Sequence, residues 1–116
     1  MVKHSVDALA RELLEQAHRV PAGRASRTLV GGHEQAMRQT VVALLDGHEL
    51  AEHDNPGQAT LLVLRGRVVL HAGTDTWDGR VGDLIEIPPA RHSVAATEDA
   101  VVLLSAVPRE RGQASN

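Results

Sequence analysis

The stretch from Gly47 to Gly66, GHELAEHDNPGQATLLVLRG, decides the fold that the sequence predicts. It indicates one strand, a sharp turn at Asn55-Pro56-Gly57, a second strand with apolar residues on both faces, and a closing glycine. A second stretch from Gly82 to Val94, GDLIEIPPARHSV, repeats the layout of a strand followed by a histidine. Together the two stretches predict that His53 and His92 face each other across a small β-barrel.

Short strands continue along the chain on both sides of these stretches. Apolar or alternating runs predict further strands over residues 27–30, 35–45, 67–71 and 100–107, with Gly, Asp and Pro between them. Short strands at regular intervals, without a long helix after residue 20, are typical of an all-β sandwich or barrel. The apolar residues of these strands are almost entirely Val, Leu, Ile and Ala. Because no large ring divides such an interior, we expect an open pocket inside the barrel.

The first 20 residues have a different pattern. Apolar residues recur at helical spacing from Val6 to Ala17, and Ser5 precedes them as a favourable N-cap. The chain therefore divides into an N-terminal helix packed on the barrel (1–20), a linker at Pro21-Ala22-Gly23, the barrel (26–107) and a polar tail (108–116). A helix that binds a partner protein is the alternative to a helix that packs on the barrel.

The composition excludes several classes of protein. The chain has 116 residues, no cysteine, and 12 basic against 15 acidic side chains, so it carries no disulfide and no basic stripe for nucleic acid. Trp77 is the only aromatic residue, which leaves no platform for stacking bases. We find neither the apolar run of a signal peptide nor the roughly 20 apolar residues that span a bilayer. The expectation is a cytoplasmic protein that contacts neither membrane nor nucleic acid.

These motifs resemble those of the small single-domain cupins, which are jelly-roll barrels (double-stranded β-helices) of six to eight strands. The first cupin motif begins with a glycine, five intervening residues and a histidine, and it closes with a glycine; Gly47, His53 and Gly66 match these positions. The second motif is matched by Gly82-Asp83, by the prolines after Ile87, and by His92. The resemblance covers about residues 40 to 106 and implies an all-β, cupin-type barrel with one N-terminal helix.

The chain departs from the cupin pattern at the positions that hold a metal. Asn55 stands where the family has its second histidine, and Ala59 stands where it has the ligating glutamate. The second motif is also one residue short before His92. The resemblance therefore implies that two of the four expected metal ligands remain, His53 and His92.

Two interpretations of this site stay open. In the first, His53, His92, Asn55 and Gln58 hold one divalent transition metal (Zn, Ni, Cu, Fe or Mn), weakly because no donor is anionic. In the second, the residues bind a small molecule by hydrogen bonds, and Arg91 either anchors a carboxylate or is a solvated charge at the rim. Gln58 has the opposite strand parity from His53 if the chain is regular.

The corresponding functions are a ligand-binding or sensing barrel of undefined activity or, as the alternative, a metal-dependent cupin enzyme. The enzyme would be an oxygenase, isomerase or lyase with His53 and His92 as ligands. The strands at 41–45 and 60–64 are apolar on both faces, so an isolated barrel would expose apolar surface. This pattern predicts a homodimer.

Overall fold

The structure is a computed structural model that describes residues 1–53 and 57–108, without the side chains of residues 52 and 53. One helix and nine strands lie within these residues. In chain order they are α1 (Val6–His18), β1 (Arg24–Val30), β2 (Arg38–Leu44), β3 (Glu49–His53), β4 (Gly57–Arg65), β5 (Arg67–Ala72), β6 (Asp75–Arg80), β7 (Leu84–Glu86), β8 (His92–Ala96) and β9 (Ala100–Pro108). The predicted all-β class with one N-terminal helix is confirmed, although the barrel has more strands than the six to eight expected.

The strands form two antiparallel sheets that face each other. One has the order β1-β2-β9-β4-β7 and the other the order β3-β8-β5-β6. From β2 to β5, and again from β6 to β9, each strand is followed by a strand of the opposite sheet, which is the winding of a jelly roll. Because β3 leads into β4 and β7 leads into β8, the ends of β3 and β7 meet the starts of β4 and β8 at one end of the barrel.

The core of the barrel lies between the two sheets and is aliphatic. Leu61 and Val63 of one sheet pack with Leu70 and Val94 of the other, and these side chains are at most 2% exposed. The same cluster takes in Val42, Val68, Ile87, Ala96 and Val102. The interior therefore consists of branched aliphatic side chains, as the composition predicts.

Helix α1 covers the outer face of the five-stranded sheet. Leu9, Ala10 and Leu13 pack against Val41 and Ala43 of β2, together with Ala17 and Val101. Ser5 caps the helix by accepting a hydrogen bond from the Ala8 backbone N–H at 3.3 Å. Strand β2 is apolar on both faces because one face meets the barrel core and the other meets the helix. No helix in the described ranges has the length and apolarity needed to cross a membrane.

The first strand begins earlier than the sequence predicts. Arg24 and Ala25 belong to β1 and pair with Leu44 and Ala43, so their assignment to the stretch before the barrel is wrong. Their strand conformation comes from this pairing with β2, which is not visible in a local pattern of hydrophobicity. At the start of β1, the Leu45 backbone N–H donates to the Gly23 carbonyl at 2.9 Å.

The loop before β9 joins three connections at one end of the barrel. The Asp99 carboxylate accepts the Asp46 backbone N–H at 2.9 Å and lies 3.2 Å from Nε2 of His18. Gly66, between β4 and β5, has φ +68°, and a Cβ there would collide with the Asp99 carbonyl oxygen. Only glycine suits this position, which explains the closing glycine of the first motif.

Candidate functional site

His92 opens β8 on the inner face of the barrel. Val94 and Ala96, at two-residue spacing from it, belong to the core, and side chains at this spacing share one face of a strand. His92 is 3% exposed and is the one polar side chain that the described part of the chain buries this deeply. A buried imidazole thus lies at the end of the barrel where β7 leads into β8.

A backbone carbonyl fixes the His92 ring. Its Nδ1 lies 3.0 Å from the carbonyl oxygen of Ala90, and the Ala90 N–H in turn donates to the Pro88 carbonyl at 2.8 Å. Because a carbonyl oxygen only accepts, Nδ1 carries the proton in this hydrogen bond. In the neutral ring, Nε2 is then the atom that accepts a hydrogen bond or coordinates a metal.

His53 ends β3 and is the register partner of His92. Leu50 pairs with Val94, and His53 pairs with His92. Between these two pairs the chain advances by three residues in β3 and by two residues in β8. The extra residue is a β-bulge. Because of the bulge, Leu50 and His53 both stand opposite inner-face positions of β8. The register therefore brings the two histidine positions together, while the predicted meeting of their imidazoles stays a prediction.

The structure describes two of the three other predicted site residues. Asn55 lies outside the described residues. Gln58 is exposed and alternates with Ala59 and Leu61, which pack in the barrel, so Gln58 lies on the outer face of β4. Arg91 is exposed in the connection that precedes His92. We therefore leave Gln58 out of the interior site.

The described residues do not by themselves make a metal centre. Among the side chains that the structure describes (residues 1–51 and 57–108), no group of three or more His, Cys, Asp and Glu could hold a metal ion. Ala59, where the cupin pattern has its glutamate, packs against the core instead. A single described imidazole does not complete the donor set that a transition metal needs.

A small side chain neighbours His92 on the adjacent strand of its sheet. Because His71 pairs with Ser93, the next residue of β5, Ala72, stands beside His92. Ala72 and Ala59 of β4 both pack against the core cluster.

A cavity of about 540 Å³ opens where β1 of one sheet passes β3 of the other. We call this gap the β1/β3 seam. Val42, Leu50 and Leu104 form its inner wall, and all three belong to the core cluster or pack against it. The rest of the lining is Arg24, Ala25, Ser26 and Ala51. The cavity therefore opens at the seam and reaches the interior of the barrel.

Arg24 and Ser26 were missed by the sequence analysis. Both residues lie between the predicted linker at Pro21-Ala22-Gly23 and the predicted strand at 27–30, and Ser26 opens the predicted barrel. The available signal was polar residues at two-residue spacing (Arg24, Ser26, Thr28) opposite Ala25 and Leu29. Polar residues on the inner face of a barrel strand indicate the wall of a wet pocket.

Comparisons with known proteins give structural neighbours. No family model and no curated protein matches the chain. A conserved protein of unknown function from Streptococcus pyogenes has 30% identity and a TM-score of 0.70, with 78% of this chain and 79% of that chain covered. A cupin-like protein from Thermotoga maritima has 24% identity and a TM-score of 0.67, with 72% and 68% covered.

A variant of salicylate 1,2-dioxygenase from Pseudoaminobacter salicylatoxidans has 19% identity and a TM-score of 0.72, with 88% of this chain and 32% of that chain covered. A cupin superfamily protein from Desulfitobacterium hafniense has 18% identity and a TM-score of 0.68. The cupin-like protein from Thermotoga maritima and the cupin superfamily protein from Desulfitobacterium hafniense show the fold of the chain, which is the double-stranded β-helix of the cupins.

Proposed function

We propose that this cupin-fold chain binds a small organic molecule inside its barrel, as a ligand-binding or sensing protein. The observation that supports the proposal is the cavity at the β1/β3 seam. Its volume of about 540 Å³ falls in the range of small-molecule pockets, and its inner wall is aliphatic. Polar groups are few and stand at the entrance, which is the usual arrangement for a site that buries most of a small ligand.

A thermal-shift screen against a metabolite library, run in the presence of a chelator, tests this function. We expect at least one organic compound to raise the melting temperature in proportion to its concentration, because ligands that bind only the folded state stabilise it. Ser26→Phe should remove the response by filling the cavity from an exposed strand position. Ser26→Ala, which keeps the cavity open, is the matched control.

The outcome that contradicts the proposal is also specific. If no compound shifts the melting of the wild-type protein, or if Ser26→Phe and Ser26→Ala respond equally to every hit, the cavity is not the binding site. A response that appears only after a metal is added would favour the second candidate instead.

The second candidate is a metal-dependent enzyme with His53 and His92 as ligands, together with Asn55 as the resemblance suggests. The observation that favours it is the register of β3 and β8, since His53 and His92 are direct partners. The same fold occurs in a dioxygenase, although that likeness concerns the fold alone. Neutral donors would favour Zn, Cu or Ni over harder ions.

Elemental analysis of the purified protein tests the metal. We expect about one transition-metal ion per chain in the wild type, and loss of this ion in a His53→Ala, His92→Ala double variant. His71→Ala is the control because His71 is an exposed histidine on β5. Protein that neither retains metal nor changes its melting temperature after addition of Zn, Ni, Mn or Fe would exclude this candidate.

We also propose that the protein forms a homodimer, but on a different ground from the doubly apolar strands of the sequence. Helix α1 covers the outer face of β2, so that face no longer argues for a homodimer. Among the apolar side chains that stay exposed are Val81 (63% exposed) and Leu84 (61%), the latter paired with Leu62. Light scattering at tens of micromolar should give the mass of two chains, and the mass of one chain contradicts the dimer.

A further inference from the structure

We infer that the cavity at the β1/β3 seam takes an amphipathic carboxylate, whose anionic group is held by Arg24 and Ser26. This inference rests on the proposed small-molecule function and names the class of ligand. It assigns the anion to Arg24 of β1 and gives no role to Arg91, which the sequence had suggested. Three observations support it: the direction of Arg24, the absence of a carboxylate beside it among the described side chains, and the aliphatic character of the opposite wall.

The register of β1 turns Arg24 and Ser26 towards the cavity. Arg24 pairs with Leu44 and Ser26 pairs with Val42, both of which are core residues. Directly opposed residues of an antiparallel pair share a face of the sheet. The intervening Ala25 packs with the helix cluster on the other face. Arg24 and Ser26 therefore project from the same face, with Cα atoms about 7 Å apart along the strand.

Arg24 and Arg27 lie on opposite faces of β1 and differ in their charge environment. Arg27 binds Glu12 of the helix at 3.0 Å. Among the side chains that the structure describes (residues 1–51 and 57–108), no carboxylate lies within salt-bridge distance of Arg24, and no Asp or Glu lines the cavity. The chain as a whole has a formal charge of −3, so any preference for an anion must come from this local cation.

The opposite wall selects the rest of the ligand. Val42, Leu50 and Leu104 present aliphatic side chains towards the interior, and no polar residue stands among them in the lining. A guanidinium recognises a carboxylate through two parallel hydrogen bonds, and a serine hydroxyl can donate another. A ligand with a carboxylate at one end and an aliphatic chain at the other satisfies both parts of the cavity.

Calorimetric titration of the full-length protein with octanoate and octanamide tests the inference. The two probes share their aliphatic chain and differ in charge. We expect octanoate to bind at least about tenfold more tightly, because hydrogen bonds to charged groups are stronger than neutral ones. Arg24→Gln should weaken octanoate about tenfold and leave octanamide within about twofold.

Arg27→Gln is the matched control, since it removes the same charge from the other face of the same strand. Equal weakening of octanoate by Arg24→Gln and Arg27→Gln overturns the inference, because net charge alone would then explain the preference. Should Arg24→Gln fail to fold, Arg24→Lys makes the same test. A lysine cannot make the two parallel hydrogen bonds of a guanidinium, so Arg24→Lys should weaken the binding of octanoate several-fold and leave the binding of octanamide unchanged. Equal weakening of both probes overturns the inference.

The result also separates this inference from the proposed function. If octanamide binds as tightly as octanoate, the carboxylate assignment is overturned while small-molecule binding in the cavity stands. If neither probe binds but an uncharged compound from the screen does, the ligand class is likewise overturned. If nothing binds in either experiment, both the inference and the proposed function are overturned.

Discussion

The two seams where the sheets of the barrel meet are built differently. At the seam between β6 and β7, Gly79 has no side chain, and the space is filled by Val63, Val68 and Ile85. A Cβ on Gly79 would stand 3.0 Å from Val63 Cγ2 and 3.2 Å from Ile85 Cδ1. At the β1/β3 seam, in contrast, a cavity of about 540 Å³ separates the strands.

The difference shows how one aliphatic core serves two purposes. Where the β6/β7 seam is sealed, contacts across it contribute to stability, since close packing without voids is favourable. Where the β1/β3 seam is open, the same kind of side chains face a cavity and contribute less to stability but offer a surface to a ligand. Each prediction below either breaks this contrast or makes it sharper.

The largest expected effect compares two leucines on one cross-strand row. Leu50, Val94 and Leu70 are successive partners across β3, β8 and β5, with Leu50 at the open seam and Leu70 towards the sealed one. Leu70→Ala should lower the free energy of unfolding by about 2–5 kcal/mol, because it leaves a void in a fully buried site. Leu50→Ala should lower it by about 1 kcal/mol, since Leu50 already faces open space. Urea unfolding measures both, and equal losses would break the contrast.

A smaller effect is expected from filling each seam. Gly79→Val should destabilise the fold by about 1–3 kcal/mol because the new side chain would have to displace Val63 and Ile85 from their packed positions. Ser26→Val, which adds similar bulk at the open seam, should change the free energy of unfolding by less than about 0.5 kcal/mol. Thermal and urea unfolding of the two variants give the comparison. A tolerated Gly79→Val would mean that the β6/β7 seam is not sealed.

The end of the barrel away from His92 gives a reference that involves neither cavity nor seam. Asp99→Ala removes the acceptor for the Asp46 N–H and should cost about 0.5–1.5 kcal/mol, the usual net value of one hydrogen bond. Glu98→Ala, which removes only a solvent-exposed partner of Arg67, is the control and should be near neutral. An Asp99→Ala variant as stable as Glu98→Ala would show that this loop does not tie the connections together.

The smallest effect concerns Asp7, an exposed residue in the first turn of α1. A hydrogen bond from Arg65, and then the charge of Arg65, lower the pKa of Asp7 below its ordinary 3.8. The interaction therefore adds stability above the ordinary pKa and loses it as the pH falls through the lowered value. Asp7→Asn should give a small loss of urea midpoint at neutral pH, and this loss should shrink in acid. A difference from wild type that stays constant with pH contradicts the assignment.

The sequence was sufficient for the parts of the fold that local patterns encode. Val6 to Ala17 predicted the helix, and the two glycine-to-histidine stretches predicted the jelly roll. They also predicted that His53 and His92 lie near each other, and the register of β3 and β8 agrees at the level of the backbone. These features depend on periodicity and turn residues close together in the chain.

What the sequence did not reveal depends on which strands are neighbours. Arg24 lines the cavity because β1 pairs with β2 at the edge of its sheet, and the alternation from Arg24 to Leu29 does not show which strand is the partner. The apolar outer face of β2 suggested a second chain, whereas α1, about twenty residues earlier in the sequence, covers it. Long-range pairing and coverage of this kind are decided by tertiary packing rather than by propensity.

The loop that contains Asp99 has a consequence for how this protein can change. Asp99 contacts His18 at the end of α1, Asp46 in the turn after β2, and Gly66 between β4 and β5, so this loop connects three parts of the chain at one end of the barrel. Substitutions meant to give this barrel a new ligand should therefore be placed along the β1/β3 seam, and the residues that contact Asp99 should be left unchanged.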